Sequence, residues 1–223
     1  MSTDTAALPR AAAWHANPRQ DESTLAAPDY KTLEDRELAT CAARGEEPAF
    51  RELLARYERP VFSLIYRMVR DRTLAEDLAQ EAFIRAFNAI DSYKTSYKFS
   101  NWIFKIANNH TIDYLRKRKL DTVSIDGSPH ATTQDEISQS RVVLESDGEN
   151  PHEYVEHKEL GSQIEQAIGG LREEYRAVII LRHVEGHAYD EIADILELPL
   201  GTVKTYLHRA RGELRKSLAH LAT

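Results

Sequence analysis

Asp190-Glu-Ile-Ala-Asp-Ile-Leu-Glu-Leu-Pro-Leu-Gly-Thr-Val-Lys-Thr-Tyr-Leu-His-Arg-Ala-Arg211 is the stretch on which the reading of this chain turns. A short helix carrying the small residue Ala193 is followed by a tight turn at Glu197–Gly201 and then by a longer basic helix, the order of a helix-turn-helix. At about 100° per residue, Val203, Leu207, Ala210, Leu214 and Leu218 fall on one stripe. Lys204, Thr205, His208, Arg209, Gly212, Arg215 and Lys216 lie on the other side. Between Gly201 and Lys216 five Lys/Arg stand against the single acid Glu213, a local charge of +4 in a chain whose formal net charge is −7. Thr202, Lys204, Thr205, His208 and Arg209 would then enter a major groove, and the remaining cations, Arg211 among them, would meet phosphates. A solvated face on a core helix has the same pattern, but the turn, the small residue and the charge asymmetry coincide here. Glu197 stands where such a turn usually has glycine, the residue that tolerates positive φ without strain.

Helical periodicity surrounds this motif from about Tyr154 to Leu221, interrupted at Gly169–Gly170 and Gly186–Ala188, which gives about four short helices. Upstream, residues 121–160 carry ten acids against Arg141 and Lys158, with Gly127, Pro129, Gly148 and Pro151 scattered among Ser and Thr. Such a segment resists packing. From Leu33 to Lys119 the pattern is again helical, broken at Gly45–Pro48, Asp71–Thr73 and Asp91–Ser100, which implies about four helices in one bundle. Residues before that show no lasting period, with Trp14 the one anomaly. The expectation is an all-α protein of two small helical domains. Residues 1–32 form a disordered extension, 33–120 the first domain, 121–156 a flexible acidic linker and 157–223 the second domain.

Two faces of the first domain carry chemistry. On the helix expected over 73–90, Ala79, Phe83, Ala86, Phe87 and Ile90 share an apolar sector, while Asp77, Gln80, Glu81, Ile84 and Asn88 share another. An aliphatic side chain among acids and amides suits a docking surface for a protein better than an ordinary solvated side. The helix expected over 101–119 places Trp102, Lys105, Asn109, Asp113 and Arg116 in one sector and ends in Arg116-Lys-Arg-Lys119. Tyr93, Tyr97 and Phe99 precede it. Aromatics interleaved with cations suit single-stranded DNA, whose unstacked bases lie on rings while lysines hold the backbone. Phe99 and Trp102 could equally cap the bundle as core residues.

Composition excludes several classes. No apolar run approaches the roughly 20 residues needed to cross a bilayer, and no signal-like apolar core opens the chain, so a cytoplasmic location is expected. Cys41 is the single cysteine and reads as a small core residue. His183 and His187 have a spacing that could face a metal, but Gly186 should end the helix between them and no third ligand is evident. No metal, cofactor or catalytic residue is expected. A conventional helix-turn-helix regulator remains the alternative, although it leaves the Asp77–Asn88 face and the aromatic-basic helix unexplained.

Taken in order, Asp77-Leu-Ala-Gln-Glu-Ala-Phe83, Asn101-Trp-Ile-Phe-Lys-Ile-Ala-Asn-Asn109 with Asp113-Tyr-Leu-Arg116, and Gly201-Thr-Val-Lys-Thr-Tyr-Leu-His-Arg-Ala-Arg211 resemble bacterial sigma factors of the extracytoplasmic-function group. The resemblance covers about residues 33–120 and 157–220. It implies a first domain that holds core RNA polymerase and captures the non-template strand of the promoter's minus-ten element, and a second that reads the minus-thirty-five element, with no active site. By position, Asp77, Gln80, Glu81 and Phe83 match the polymerase-binding motif, Phe83 as a support. Asn109 and the loop Tyr93–Phe99 match the region that holds a flipped minus-ten base, and Lys204, Thr205, His208 and Arg209 match the minus-thirty-five readers. An anti-sigma protein is a partner of many members, and a stress or envelope-response regulon is the implied setting. The acidic linker would pass near polymerase's template channel as a mimic of nucleic acid.

Overall fold

The computed structural model describes residues 29–125 and 151–219, and its helix boundaries follow capping chemistry. Helix α1 (Asp35–Ala43) opens with the Glu37 carboxylate accepting the Glu34 N–H at 3.0 Å, the reciprocal half of a capping box. Helix α2 (Glu47–Val69) has Pro48 in its first turn, where the missing N–H costs nothing. It stops at Arg70, which is left-handed at φ 60°. Asp71 then accepts the Leu74 N–H at 3.0 Å and starts α3 (Arg72–Asn88). A 3-10 turn, Ile90–Ser92, leads into α4 (Phe99–Ile125). The second half holds α5 (Pro151–Gly170), α6 (Glu173–His183), α7 (Tyr189–Leu196) and α8 (Leu200–Ser217). The expected all-α class is what forms, and no strand occurs among the described residues.

Val61, Leu64, Ile65 and Met68 recur at helical spacing on α2 and are wholly buried. They sit where α1, α3 and α4 converge on this helix, which also packs against α5 and α6. The second half is built around Val178, Ile180, Leu181, Ile192 and Ile195, with Val203, Leu207 and Ala210 of α8 closing it.

The two halves meet. Helix α2 lies against α6, and α4 against α7. Arg176 of α6 is the main polar tie: its guanidinium donates to the Met68 carbonyl at 2.5 Å and to Gly169 and Leu171 at 2.5 and 2.9 Å. Three carbonyls that no helical N–H can reach at the ends of α2 and α5 are thereby satisfied. Burial pushes the Arg176 pKa down, and nearby Arg70 adds to the effect. Ser63 donates to Glu185 at 2.8 Å, and Arg67 pairs with Glu165 at 2.9 Å.

Boundaries differ from the sequence expectation at three places. Helix α4 continues to Ile125 and α5 begins at Pro151, so both ends of the segment expected as a linker over 121–156 are helical. The rest of that linker, with most of the acids assigned to the template channel, lies outside the described residues. The extension expected over 1–32 lies outside them up to residue 28. Its last residues are tied down: Arg56 donates to the carbonyls of Lys31 and Leu33 at 2.9 Å each, and Tyr30 donates to Glu46 at 2.9 Å. Periodicity could not register this anchor, because a single guanidinium two helical turns inside α2 makes it.

Replacing Arg176 by Leu strips three carbonyls of a charged donor. The change should lower unfolding stability by about 2 kcal/mol, read as a lower urea midpoint; an unchanged midpoint would show that water satisfies those carbonyls equally well.

Candidate polymerase and promoter surfaces

Helix α3 divides cleanly. Ala79, Phe83, Ala86 and Ile90 are buried, and Phe87 packs edge-on against Phe50 with ring centroids 4.7 Å apart. Asp77, Gln80, Glu81 and Asn88 face outward, and Ile84 among them is 59% exposed. Phe83 supports this face from beneath and does not reach it. Behind it, buried His110 of α4 brings Nε2 to 2.8 Å from Glu81 Oε2, a close contact outside hydrogen-bonding alignment. Burial lowers the His110 pKa and Arg85 adds to this, against the opposing pull of Glu81.

The aromatic turn before α4 forms a cluster. Phe99 lies 5.3 Å from Tyr57 and 5.5 Å from both Tyr93 and Trp102, centroid to centroid. Phe99 is only 4% exposed, so its ring is core and cannot stack on a base. Its assignment as a DNA contact is corrected: tertiary packing closes over the ring because Tyr57, from α2, arrives on its free side. Trp102 is half-buried, Tyr93 donates from its hydroxyl to the Tyr97 carbonyl at 2.7 Å, and Tyr97 is 55% exposed. Tyr93, Tyr97 and Lys98 line an open groove of about 530 Å³ together with Lys31 and Arg36. Those last two cations were missed from sequence, since neither belongs to a basic run. Further along α4, Lys105 is half-buried and Asn109, Asp113 and Arg116 are exposed.

The third surface is on α8. Val203, Leu207 and Ala210 are buried, while Lys204, Thr205, His208, Arg209 and Arg211 are exposed and Thr202 is half-buried. Thr205 donates to the Gly201 carbonyl at 2.9 Å, and Arg211 lies 3.3 Å from His183 Nε2. The turn between α7 and α8 is three residues long, and Glu197 takes the left-handed φ of 54° that glycine normally supplies. His183 and His187 do not share a face. Gly186, at φ 78°, turns the chain between them, and His187 packs edge-on against Phe104 at 4.9 Å. Among the described residues no group of His, Cys, Asp and Glu could hold a metal ion.

Besides Glu165 and Glu185, two further acids of the second half touch the first, and sequence gave no sign of their partners. Lys98 Nζ lies 2.6 Å from Glu191 Oε1, and Lys105 Nζ 2.7 Å from Glu197 Oε1. The Lys98 ammonium holds the Glu191 carboxyl below the usual carboxylate range, and Lys105, helped by Asn109, does the same for Glu197.

Comparison with known proteins accounts for this combination. Residues 53–120 match the family description Sigma-70 region 2, and residues 162–214 match Sigma-70, region 4. The ECF RNA polymerase sigma factor SigW of Bacillus subtilis is 42% identical over 178 residues, 80% of this chain and 93% of its own length. The ECF RNA polymerase sigma-E factor of Escherichia coli is 34% identical over 184 residues, covering 80% and 91%. Among solved structures, the Bartonella quintana sigma factor RpoE bound to the anti-sigma factor NepR superposes with a TM-score of 0.61 at 22% identity, over 76% of this chain and 96% of that one. CnrH, bound to the cytosolic domain of CnrY, gives 0.58 at 24% identity over 83% and 97%, and both support the fold. This chain belongs to the sigma-70 family, in its extracytoplasmic-function group of RNA polymerase sigma factors. It is therefore a transcription initiation factor that works with core polymerase on promoter DNA, and neither an enzyme nor a conventional regulator.

His110 should titrate below the roughly 6.5 of an exposed imidazole, and Glu81→Gln, by removing a carboxylate that raises it, should push the midpoint lower still. A histidine depressed in the fold contributes stability above its unfolded pKa and loses it as pH falls on through its lower folded pKa. The first domain should therefore weaken on acidification below about pH 6.5. Side-chain NMR of His110 in both proteins reads the midpoints; a rise on Glu81→Gln would contradict the assignment.

Proposed function

We propose a division of labour among the three surfaces. Asp77, Gln80, Glu81, Ile84 and Asn88 on α3 dock on core polymerase, with Phe83 bracing the helix from the core. Ile84 supplies the apolar anchor at the centre of a charged rim, the arrangement in which a few desolvated side chains carry most of an interface's energy. The minus-ten strand lies along the groove of Tyr93, Tyr97 and Lys98 and onto Trp102, Lys105, Asn109, Asp113 and Arg116 of α4. Exposed Tyr97 offers a stacking surface for an unstacked base, Lys31 and Arg36 add phosphate contacts, and the amide of Asn109 offers both a donor and an acceptor to a base edge. Helix α8 reads the minus-thirty-five duplex through Thr202, Lys204, Thr205, His208 and Arg209, with Arg211 on the backbone.

The observation that carries this reading is the exposure of Ile84 within an otherwise polar face, since neither DNA nor water has use for it. No described helix is long and apolar enough to cross a membrane, and we assign the site of action to the cytoplasm, where polymerase works. The uncovered α3 face is also the surface for which an anti-sigma protein would compete. A stress or envelope-response regulon is the setting that membership of this group favours.

Ile84→Asp should weaken binding to core polymerase by about 30-fold, equivalent to about 2 kcal/mol, with helicity unchanged because the residue buries little of itself. Lys204→Ala with Arg209→Ala should leave polymerase binding intact and cut run-off transcription at least about tenfold by removing groove and phosphate contacts. Core binding is read by fluorescence titration and transcription on genomic promoters. Undiminished core binding by Ile84→Asp would remove α3 from the polymerase interface.

A further inference from the structure

Arg56 lines the groove of Tyr93, Tyr97 and Lys98, yet it has no donor left to offer a ligand. A guanidinium carries five N–H groups. Nε donates to Glu52 at 2.9 Å, and Nη1 to the Leu33 carbonyl and to Asp35 at 2.9 Å each. Nη2 donates to the carbonyls of Lys31 and Tyr30 at 2.9 and 3.4 Å. All five are engaged within the chain, and two carboxylates meet the charge. Three of the five acceptors are carbonyls of one short segment, residues 30–33, which belongs to no helix. Asp29 closes that segment into a turn, its carbonyl accepting the Thr32 N–H at 3.0 Å and its carboxylate the Lys31 N–H at 3.2 Å. Tyr30 fixes the other end through Glu46.

The segment therefore has a set course, and what it presents to the groove is cationic. Lys31 and, one step on, Arg36 of α1 are exposed, and both line the groove beside Tyr93 and Tyr97. Burial raises the Tyr93 pKa, and Arg36 is close enough to pull it the other way. An anchor that served stability alone could carry any side chain at position 31.

We propose that Arg56 is a positioning residue for the melted strand: it holds residues 30–33 as a wall of the groove, so that Lys31 and Arg36 close on the phosphates of a strand whose bases lie toward Tyr93 and Tyr97. This rests on the assignment of that groove to the minus-ten strand. Arg56 itself touches no DNA. Because the segment is already ordered in the folded chain, its cations meet the strand without a further ordering cost. Lysine at this position would keep the charge and lose the arrangement, since one ammonium with three donors cannot span two carboxylates and three carbonyls.

The full chain, assembled on core polymerase, is titrated against a fluorescein-labelled genomic promoter fragment whose minus-ten stretch is held unpaired. Lys31→Ala with Arg36→Ala, both on the surface, should bind about tenfold more weakly, and the slope of log affinity against log salt should shrink by about 1.4, the share of two phosphate contacts on a single strand. Arg56→Lys should bind about fivefold more weakly with core-polymerase affinity unchanged. On the Lys31→Ala, Arg36→Ala background it should cost almost nothing more, because a positioning residue acts only through what it positions. Tyr30→Phe frees the segment at its other end and leaves the Arg56 network intact. It should weaken binding by about twofold, again with no further loss on that background, and it decides the matter should Arg56→Lys not fold. Losses that add in the combined variants make these residues part of the fold alone and overturn the positioning role. Unchanged affinity and salt slope in Lys31→Ala, Arg36→Ala overturn the wall. Tyr97→Ala with Asn109→Ala then tells which reading has failed: weakened binding leaves the minus-ten assignment standing without the wall, and undiminished binding removes both.

Discussion

Every element of the first half, and the way the second half sits on it, depends on the desolvation of one helix, α2. Val61, Leu64, Ile65 and Met68 have no contact with water, and each such side chain contributes about 1.5–3 kcal/mol by leaving it. These residues share one sector of the helix, about 100° wide at i, i+3, i+4 and i+7, so α2 offers a continuous apolar stripe, and α1, α3 and α4 all pack on this helix. Two further helices, α5 and α6, also touch it. The consequence for function is geometric. With α3 and α4 held against a common axis, the outward side of α3 and the aromatic turn before α4 become two separate surfaces on one rigid body.

What distinguishes those surfaces is how their polar groups are satisfied. On α3 the exposed acids and amides surround Ile84, an aliphatic side chain that is 59% exposed, the anchor of the proposed polymerase contact. Lys98, just before α4, and Lys105 on it are paired with Glu191 of α7 and Glu197 of the turn after it, while Arg116 further along α4 is exposed. The α8 cations point to solvent across a buried Val203–Leu207–Ala210 stripe. A single chain with net charge −7 thus gathers positive charge locally on α4 and α8, against its overall balance.

The periodic features were legible in the sequence and the tertiary ones were not. The stripe on α8, the apolar sector of α3 and the exposure of Ile84 follow from about 3.6 residues per turn and appear where the pattern puts them. Phe99 shows where that logic stops. An aromatic beside cations reads as a stacking platform until Tyr57, contributed by another helix, closes over it. Lys31 and Arg36 were overlooked for the opposite reason, being isolated cations that only folding gathers beside Tyr93 and Tyr97. Glu197 was visible as a departure from glycine, but its partner Lys105 is far away in sequence, and no local rule connects them.

The balance of energies at the junction between the halves bears on how the protein can work at all. Ion pairs as exposed as Lys98–Glu191 and Lys105–Glu197 contribute about 0–1 kcal/mol each, and the Ser63–Glu185 and Arg67–Glu165 contacts are of the same partly wet kind. The Arg176 clamp and the ring of His187 against Phe104 are drier, and the buried apolar side chains of the two halves belong to one continuous cluster. A partner that binds the separated state better by a few kcal/mol is enough to shift the population. On the proposed assignment, binding a protein at α3 and DNA at α4 and α8 would supply such a difference.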